Sequence, residues 1–526
     1  MKNIKSFSYY FVAALSLAIM PFAQAANRTI SANYTLTANE DWTGKTVDIA
    51  SGVTVNLNGY SLQIGSVGVI GEGLSPVFTG TSGELRISVP EGKSFANPGW
   101  SVEGSVDVVK DGPGLFVWGG GTLAATIPIT VTDGVFRLGV TTANVFGEGG
   151  KITVAGTGQF DINYGTAGGS SPVRKRTFYI EGEGPDGSGA IYNSATANMY
   201  GYHLERVIMT GDATIGGVSR MDFRGGGIGI DGEGYTLTIK NQACLAFCGG
   251  NAHLNCKDLV IADGGVFQPC QGNTTTSSIK ISGFIILRDG GVFASYNDRS
   301  GAPKVFNAPV IVGEGGGVIR SDKYSYQMNG SVTVSAGNTL TIGAGTGSMT
   351  SLTLNQGATV EISDASANLS VTGEFVNNGT LKLSNGTVSF PDGGSFGGTL
   401  VLAGGTVSTS LSDVTCPVVF DLSEKTEPFT IPESWLTLPE NKQVKIDISG
   451  RRLVWGEKLL SWNSAPSLAF SLSENSALLV KKEDGLYFGD CDIVPVSATW
   501  TGAANNGLFF DVANWTCLDE KRRVIL

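Results

Sequence analysis

The feature that most constrains this chain is a short strand phrase that returns again and again between glycines. Thr236-Leu237-Thr238-Ile239, Thr339-Leu340-Thr341-Ile342, Thr380-Leu381-Lys382-Leu383 and Thr399-Leu400-Val401-Leu402 each alternate polar and apolar residues. Period-two alternation is the pattern of a half-buried strand. No helical period separates the phrases, so the strands succeed one another through turns alone. Repeated short strands of this kind describe a β-solenoid, an all-β stack in which each coil buries its apolar side against its neighbours. Gly379-Thr380-Leu381 and Gly398-Thr399-Leu400 stand one plausible coil apart, near the lower end of the ~20–50-residue periods of repeat architectures.

Composition agrees with many turns and little charge. Glycine makes up 75 of 526 residues and charged residues 15%, against roughly 7% and 25% in ordinary domains. A hydrophobic content of 41% supplies a core and argues against wholesale disorder. The net charge of -11 leaves no electrostatic footprint for nucleic acid. The compact basic runs, Arg174-Lys175-Arg176 and Lys521-Arg522-Arg523, read as solvated loop and terminus.

Residues 1–25 read as a secretory signal peptide. Lys2 and Lys5 form a positive start, 9–20 is an apolar stretch too short to span a bilayer, and Ala23-Gln24-Ala25 is a cleavage site. Maturation at Ala26 implies an exported, secreted or cell-surface protein with no transmembrane segment after cleavage. All seven cysteines lie beyond that point. Cys244, Cys248, Cys256 and Cys270 cluster, but their gaps lack the two tight pairs of a zinc site. One or two disulfides, or free thiols stacked in the core, fit better. Cys491 and Cys517 are a candidate pair, and Cys416 has no obvious partner.

Along the chain, 26–173 reads as an N-terminal cap and solenoid, 174–330 as its continuation, and 331–410 as its densest short-strand section. Asn58-Gly59 is a strong turn signal within the first of these. Near Ser410 glycine thins and prolines appear at 417, 428, 432 and 439, so 411–495 reads as a separate β-rich C-terminal module. Thr499-Trp500-Thr501-Gly502 with Ala513-Asn514-Trp515 reads as the start of a further, truncated repeat unit over 496–526, as in a fragment.

Lys110-Asp111-Gly112-Pro113-Gly114-Leu115-Phe116-Val117, then Ile127-Pro128-Ile129-Thr130-Val131, then Asp133-Gly134-Val135-Phe136-Arg137-Leu138-Gly139 resemble the autotransporter-associated β-strand repeat. The block from Gly182 to Ile239, with Arg206-Val207-Ile208-Met209-Thr210-Gly211 and Gly234-Tyr235-Thr236-Leu237, looks like one found in long exported bacterial repeat proteins of the same type. The resemblance implies a right-handed parallel β-helix in an exported passenger region. It carries over no catalytic residue. The family's membrane β-barrel translocator, with its many ~10-residue alternating strands, has no counterpart among these residues.

Many parallel β-helices cleave polysaccharides, with paired carboxylates or an acidic cluster beside a basic group. The best constellation here is Arg220-x-Asp222-x-Arg224, with Asp231 close in sequence. Residues 220, 222 and 224 share one face of a strand. An outward carboxylate between two guanidiniums suits an anionic sugar, and equally a surface salt-bridge stripe. Gly227-Ile228-Gly229-Ile230-Asp231-Gly232 is like a coil turn of pectinase-type hydrolases, but the Asn-Thr-Asp, Asp-Asp and Gly-His-Gly motifs are missing. Gly226-Gly227-Ile228-Gly229-Ile230-Asp231 fits the first six places of a calcium-binding nonapeptide, yet it occurs once and Glu233 stands where an apolar residue belongs. His203 and His253 lie beside no nucleophile motif and read as turn or ladder residues. Trp42, Trp100, Trp118, Trp455 and Trp462 read as core or cap rather than sugar-stacking platforms.

The sequence therefore leads to an all-β, right-handed parallel β-helix with a β-rich C-terminal module. The expected role is a non-enzymatic exported scaffold, an adhesin-like passenger whose loops meet glycans or other cell-surface components. No catalytic, cofactor-binding or metal residue is assigned. The alternative is a polysaccharide lyase or glycoside hydrolase on the same fold.

Overall fold

A computed structural model describes residues 28–518, apart from 72, 98, 140–145, 148, 164–174, 199–203, 225–228, 249–251, 270–278, 297–302, 324, 392–393, 473–478, 490–496, 502 and 504–514. The signal-peptide reading, Arg174, His203, Cys270, Cys491 and 521–523 lie outside the described residues.

The protein is a parallel β-solenoid of about 17 turns with 2% helix, as the strand phrases require. In the middle of the stack each coil carries three strands. Gly229–Gly232, Leu237–Ile239 and Cys244–Cys248 make one coil, and His253–Cys256, Leu259–Ile261 and Val266–Pro269 the next. Every strand of this coil pairs in parallel with its equivalent in the next, as Ile230 with Leu254, Leu237 with Leu259 and Leu245 with Phe267. The N-terminal coils are built alike, from Arg28–Ile30, Tyr34–Thr35 and Glu40–Asp41 onward.

Where a corner is mild, two strands fuse. Ile129–Leu138 pairs through its first half with Asp107–Asp111 and through its second with Leu115–Trp118. The bend falls at Asp133-Gly134, where Gly134 has φ 64° and a Cβ would collide with the backbone of the preceding corner. Only glycine takes that bend without strain. Tyr326–Val334, Thr346–Leu354 and Asn368–Asn377 are fused in the same way, each with a register shift at its corner. Asn58 and Gly59 both have positive φ, as their turn signal demands. Coil length ranges from 18 residues, Leu400 to Val418, to 31, Phe160 to Ile191. The 19-residue phrase repeat is one coil, with Thr380 in register with Thr399.

Alternation decides what is inside. Leu340 and Ile342, Leu381 and Leu383, and Leu400 and Leu402 point inward and are buried. Each such side chain contributes roughly 1.5–3 kcal/mol of hydrophobic stabilisation. Stacking also aligns like residues. Phe223, Phe247, Phe267, Phe293 and Phe306 form a continuous ladder with ring centroids 4.7–5.7 Å apart. An earlier aromatic column runs through Trp100, Phe116, Phe136 and Phe160.

The change of texture near Ser410 does not interrupt the long sheet. Val418–Asp421, Lys442–Asp447 and Leu468–Leu472 extend it coil by coil. New features join there: a 3-10 turn, Glu433–Thr437, buries Trp435 between Phe420 and Phe429. Antiparallel pairs also begin, at Glu457–Ser461 with Gly485–Phe488. Ser497–Trp500 and Trp515–Leu518 form a separate antiparallel pair.

Candidate functional site

The Arg220–Arg224 strand opens one face of the solenoid, followed by Cys244–Cys248, Val266–Pro269, Gly291–Ser295 and Gly317–Ser321. Met221 and Phe223 point into the core, so Arg220 and Asp222 point outward. Register aligns Asp222 with Ala246 and Ala246 with Gln268, while Ala294 aligns with Arg320. Long polar side chains thus alternate with alanine from coil to coil. The alanines clear room for each long side chain to reach two coils away.

A continuous hydrogen-bonded chain results. Arg220 Nε donates to Asp222 Oδ1 at 2.6 Å, and Arg220 Nη1 donates to Gln268 Oε1 at 2.5 Å. Gln268 Nε2 donates to Asp322 Oδ2 at 2.9 Å, and Arg320 Nε donates to Asp322 Oδ1 at 2.7 Å. Gln268 suits the centre because its amide both accepts and donates. The Tyr296 ring lies over Ala246, with the Arg220 guanidinium 5.8 Å and the Lys323 ammonium 5.9 Å from its centroid.

This geometry corrects the expectation of an accessible carboxylate. Asp222 points outward yet has 0% exposure, and the Arg220 side chain retains 14%. A carboxylate that meets no solvent cannot meet a sugar. The network is chemically a staple across five coils, in which a desolvated ion pair is held by a neutral relay. Only the backbone of Arg224 is described.

Asp231, close in sequence, belongs to a different sheet. Its Oδ1 lies 3.0 Å from His253 Nε2 and its Oδ2 4.0 Å from Arg206 Nε. His253 is the ladder residue expected, in register with Gly229. All three side chains of this cluster are partly exposed, so it is worth about 1 kcal/mol at most. Gly226, Gly227 and Ile228 of the calcium-like phrase lie outside the described residues, and no group of three metal-ligating side chains forms among those described. Cys256 is a free thiol buried in the core, as the stacked-thiol alternative has it for that residue, and Cys416 is likewise a buried free thiol. Burial pushes the Cys256 thiol up to about 12.

Trp42, Trp100 and Trp118 are buried, Trp462 nearly so, and Trp455 packs half-buried near Phe488. Trp42 also donates to Glu40 beneath the Arg28 guanidinium.

The basic run at 174–176 also needs correction, because Arg176 is not solvated. It is fully buried and donates to the carbonyls of Ala124, Ile127 and Gly147 at 3.0, 2.6 and 3.1 Å. Burial pulls its pKa down to about 10. Lys110 does the same at a corner nearer the N-terminus, its Nζ donating to the carbonyls of Asp111, Gly112 and Asp133. Burial pushes that ammonium down to about 8. Both cations cap corner carbonyls, of which Asp111 O and Ala124 O also accept a backbone N–H, from Val89 and Ile127. Glycine-rich turns around 112–114 and 147–150 were the only sequence signal for such needs.

One feature had no signal in the sequence. Between Ile279–Ile281 and Lys304–Phe306 the wall opens into a groove of about 370 Å³. No described helix is long and apolar enough to cross a membrane, which leaves membrane β-barrels unaddressed. No family model, curated protein or solved structure matches the chain.

Proposed function

We propose that this β-solenoid is a non-enzymatic scaffold of an exported, autotransporter-repeat type. It holds the loops at its coil corners toward glycans or other cell-surface components. The supporting observation is the fate of its best catalytic candidate. Asp222 is wholly buried and bound by Arg220, so the most enzyme-like cluster serves the stack itself. The resemblance of 110–139 to exported repeats and the leader-like 1–25 support export.

The test is a glycan array on the purified chain, paired with assays for new reducing ends and unsaturated products, with and without calcium. Binding without turnover is the expected result. Product formation would overturn the scaffold reading in favour of a lyase or hydrolase. Absence of binding would overturn the glycan reading and leave a scaffold for other components. Export is tested separately, by N-terminal sequencing of the secreted chain, with Ala26 expected first.

A further inference from the structure

One face of the solenoid parts while the others stay joined. Ile279–Ile281 pairs backward with His253–Cys256, and Lys304–Phe306 pairs forward with Tyr326–Val334. Among the described residues no pairing connects Ile279–Ile281 to Lys304–Phe306, although they occupy the same face of successive coils. The other faces of those coils are continuous. Leu259–Ile261 pairs with Ile285–Leu287, which pairs with Val310–Val312. Val266 pairs with Val292, and Val292 with Val318. The split is therefore local. Its volume of about 370 Å³ lies in the range of binding pockets, roughly 300–1,000 Å³.

The walls of the split are strand edges. In a parallel ladder, successive residues of a strand direct their backbone groups to opposite neighbours. Ser282 N–H donates backward to Cys256 O at 3.1 Å, and Lys304 N–H donates forward to Ser325 O at 2.9 Å. The adjacent residues, Ile281 and Val305, therefore turn their N–H and C=O groups into the opening from opposite sides. Ile281 and Phe306 give it an apolar floor, while Glu233, Lys280 and Asn307 stand exposed at the mouth.

We propose that this split is a docking slot for one extended strand of a partner polypeptide, added in parallel between the two edges. Such a strand offers alternating N–H and C=O groups to both walls at once, at the ~3.3 Å repeat of the edges themselves. A sugar offers hydroxyls without that repeat. The required side chains follow from the floor and mouth: apolar residues at alternate positions facing Ile281 and Phe306, with hydroxyl-bearing residues between them. The solenoid's own strands have this character. Leu237–Ile239 sits between two parallel neighbours with Leu237 and Ile239 inward and Thr238 outward. The slot does not depend on where the protein resides or on what its loops contact.

The test uses a fluorescein-labelled synthetic peptide with the sequence of 234–240, titrated into the full chain and followed by anisotropy. Hydrogen exchange is read on the same mixture. Saturable binding is expected, with exchange at Ile281 and Val305 slowed at least tenfold. Ile281→Pro and Val305→Pro each remove an N–H that no ladder among the described residues uses, a position where a strand tolerates proline. Each is expected to weaken peptide binding at least tenfold with the circular dichroism spectrum kept. If either variant misfolds, exchange protection in the parent chain carries the test. No saturable binding, or binding without protection at Ile281 and Val305, overturns the proposal. So does a glycan that occupies the slot and is not displaced by the peptide.

Discussion

Arg220 and Asp222 are two residues apart on one strand, and the guanidinium of the first covers the carboxylate of the second at 2.6 Å. The pair is stable because Gln268, two coils away, takes up a second guanidinium N–H. Removing one member leaves the other charge buried. Asp222→Asn is expected to cost about 3 kcal/mol, seen as a lower urea midpoint. The double variant Arg220→Met/Asp222→Leu should recover most of that loss. Since the carboxylate meets no solvent, Asp222→Asn should bind any array glycan as the parent does. Loss of glycan binding at unchanged stability would instead place ligand at Asp222.

Lys110 gives the chain a pH signature. Its ammonium titrates near 8 when folded, against 10.5 for an ordinary lysine. Between those values the unfolded chain binds a proton that the folded chain does not, so stability rises with pH across the window. Below about 8 both states are protonated and the burial penalty is fully present. Lys110→Met lacks this titration but takes the ammonium from three corner carbonyls, of which Asp111 O keeps the Val89 N–H, at a cost of roughly 2 kcal/mol near pH 7. The stability difference between parent and variant should grow as pH climbs from 8 toward 10, measured by urea unfolding at each pH. A constant difference would contradict the titration.

Tyr326 lies directly over Gly347, its register partner in the next coil, so a Cβ there would fall inside the ring. Gly347→Ala should destabilise by about 3 kcal/mol, since a packed core cannot absorb the added carbon without moving the ring. Tyr326→Leu should partly rescue Gly347→Ala. A thermal melt of the three variants checks this, and equal melting of Gly347→Ala and parent would refute the contact.

The phenylalanine ladder spreads its stability along the stack. Phe267 stands between Phe247 and Phe293 at 5.7 Å on either side. Phe267→Ala should cost about 3–5 kcal/mol. Because each coil contacts only its neighbours, faster hydrogen exchange should concentrate in the coils around 247–293 and leave 380–402 unchanged. Uniform loss of protection along the chain would argue against that locality.

Cys256 faces the core and is held protonated by burial. The thiolate is the reactive form, so a charged disulfide reagent at pH 8 should leave Cys256 unlabelled in the native chain. It should become labelled in denaturant. Native labelling at Cys256, read by peptide mass mapping, would contradict its inward placement.

The sequence alone determined the architecture. Alternation in Thr339–Ile342 or Thr399–Leu402 is local, and the 19-residue spacing between Thr380 and Thr399 is legible as one coil. Identity and spacing therefore sufficed for an all-β parallel stack and for which side of each strand is apolar. They also made His253 a turn or ladder residue and the tryptophans core or cap.

Tertiary structure alone decided what the outward side chains meet. Asp222 is outward by alternation, but it is dry because Arg220 folds over it beside Gln268 and Tyr296, residues two and three coils further on. Arg176 looks like a loop cation, but its carbonyl partners at Ala124 and Ile127 lie 52 and 49 residues earlier. The split beside Ile281 exists only because successive strands of that face fail to pair while their neighbours succeed. The physical reason is the same in each case. Strand alternation is set by adjacent residues, whereas burial, charge and pairing on a solenoid are set by whichever coils the winding stacks together.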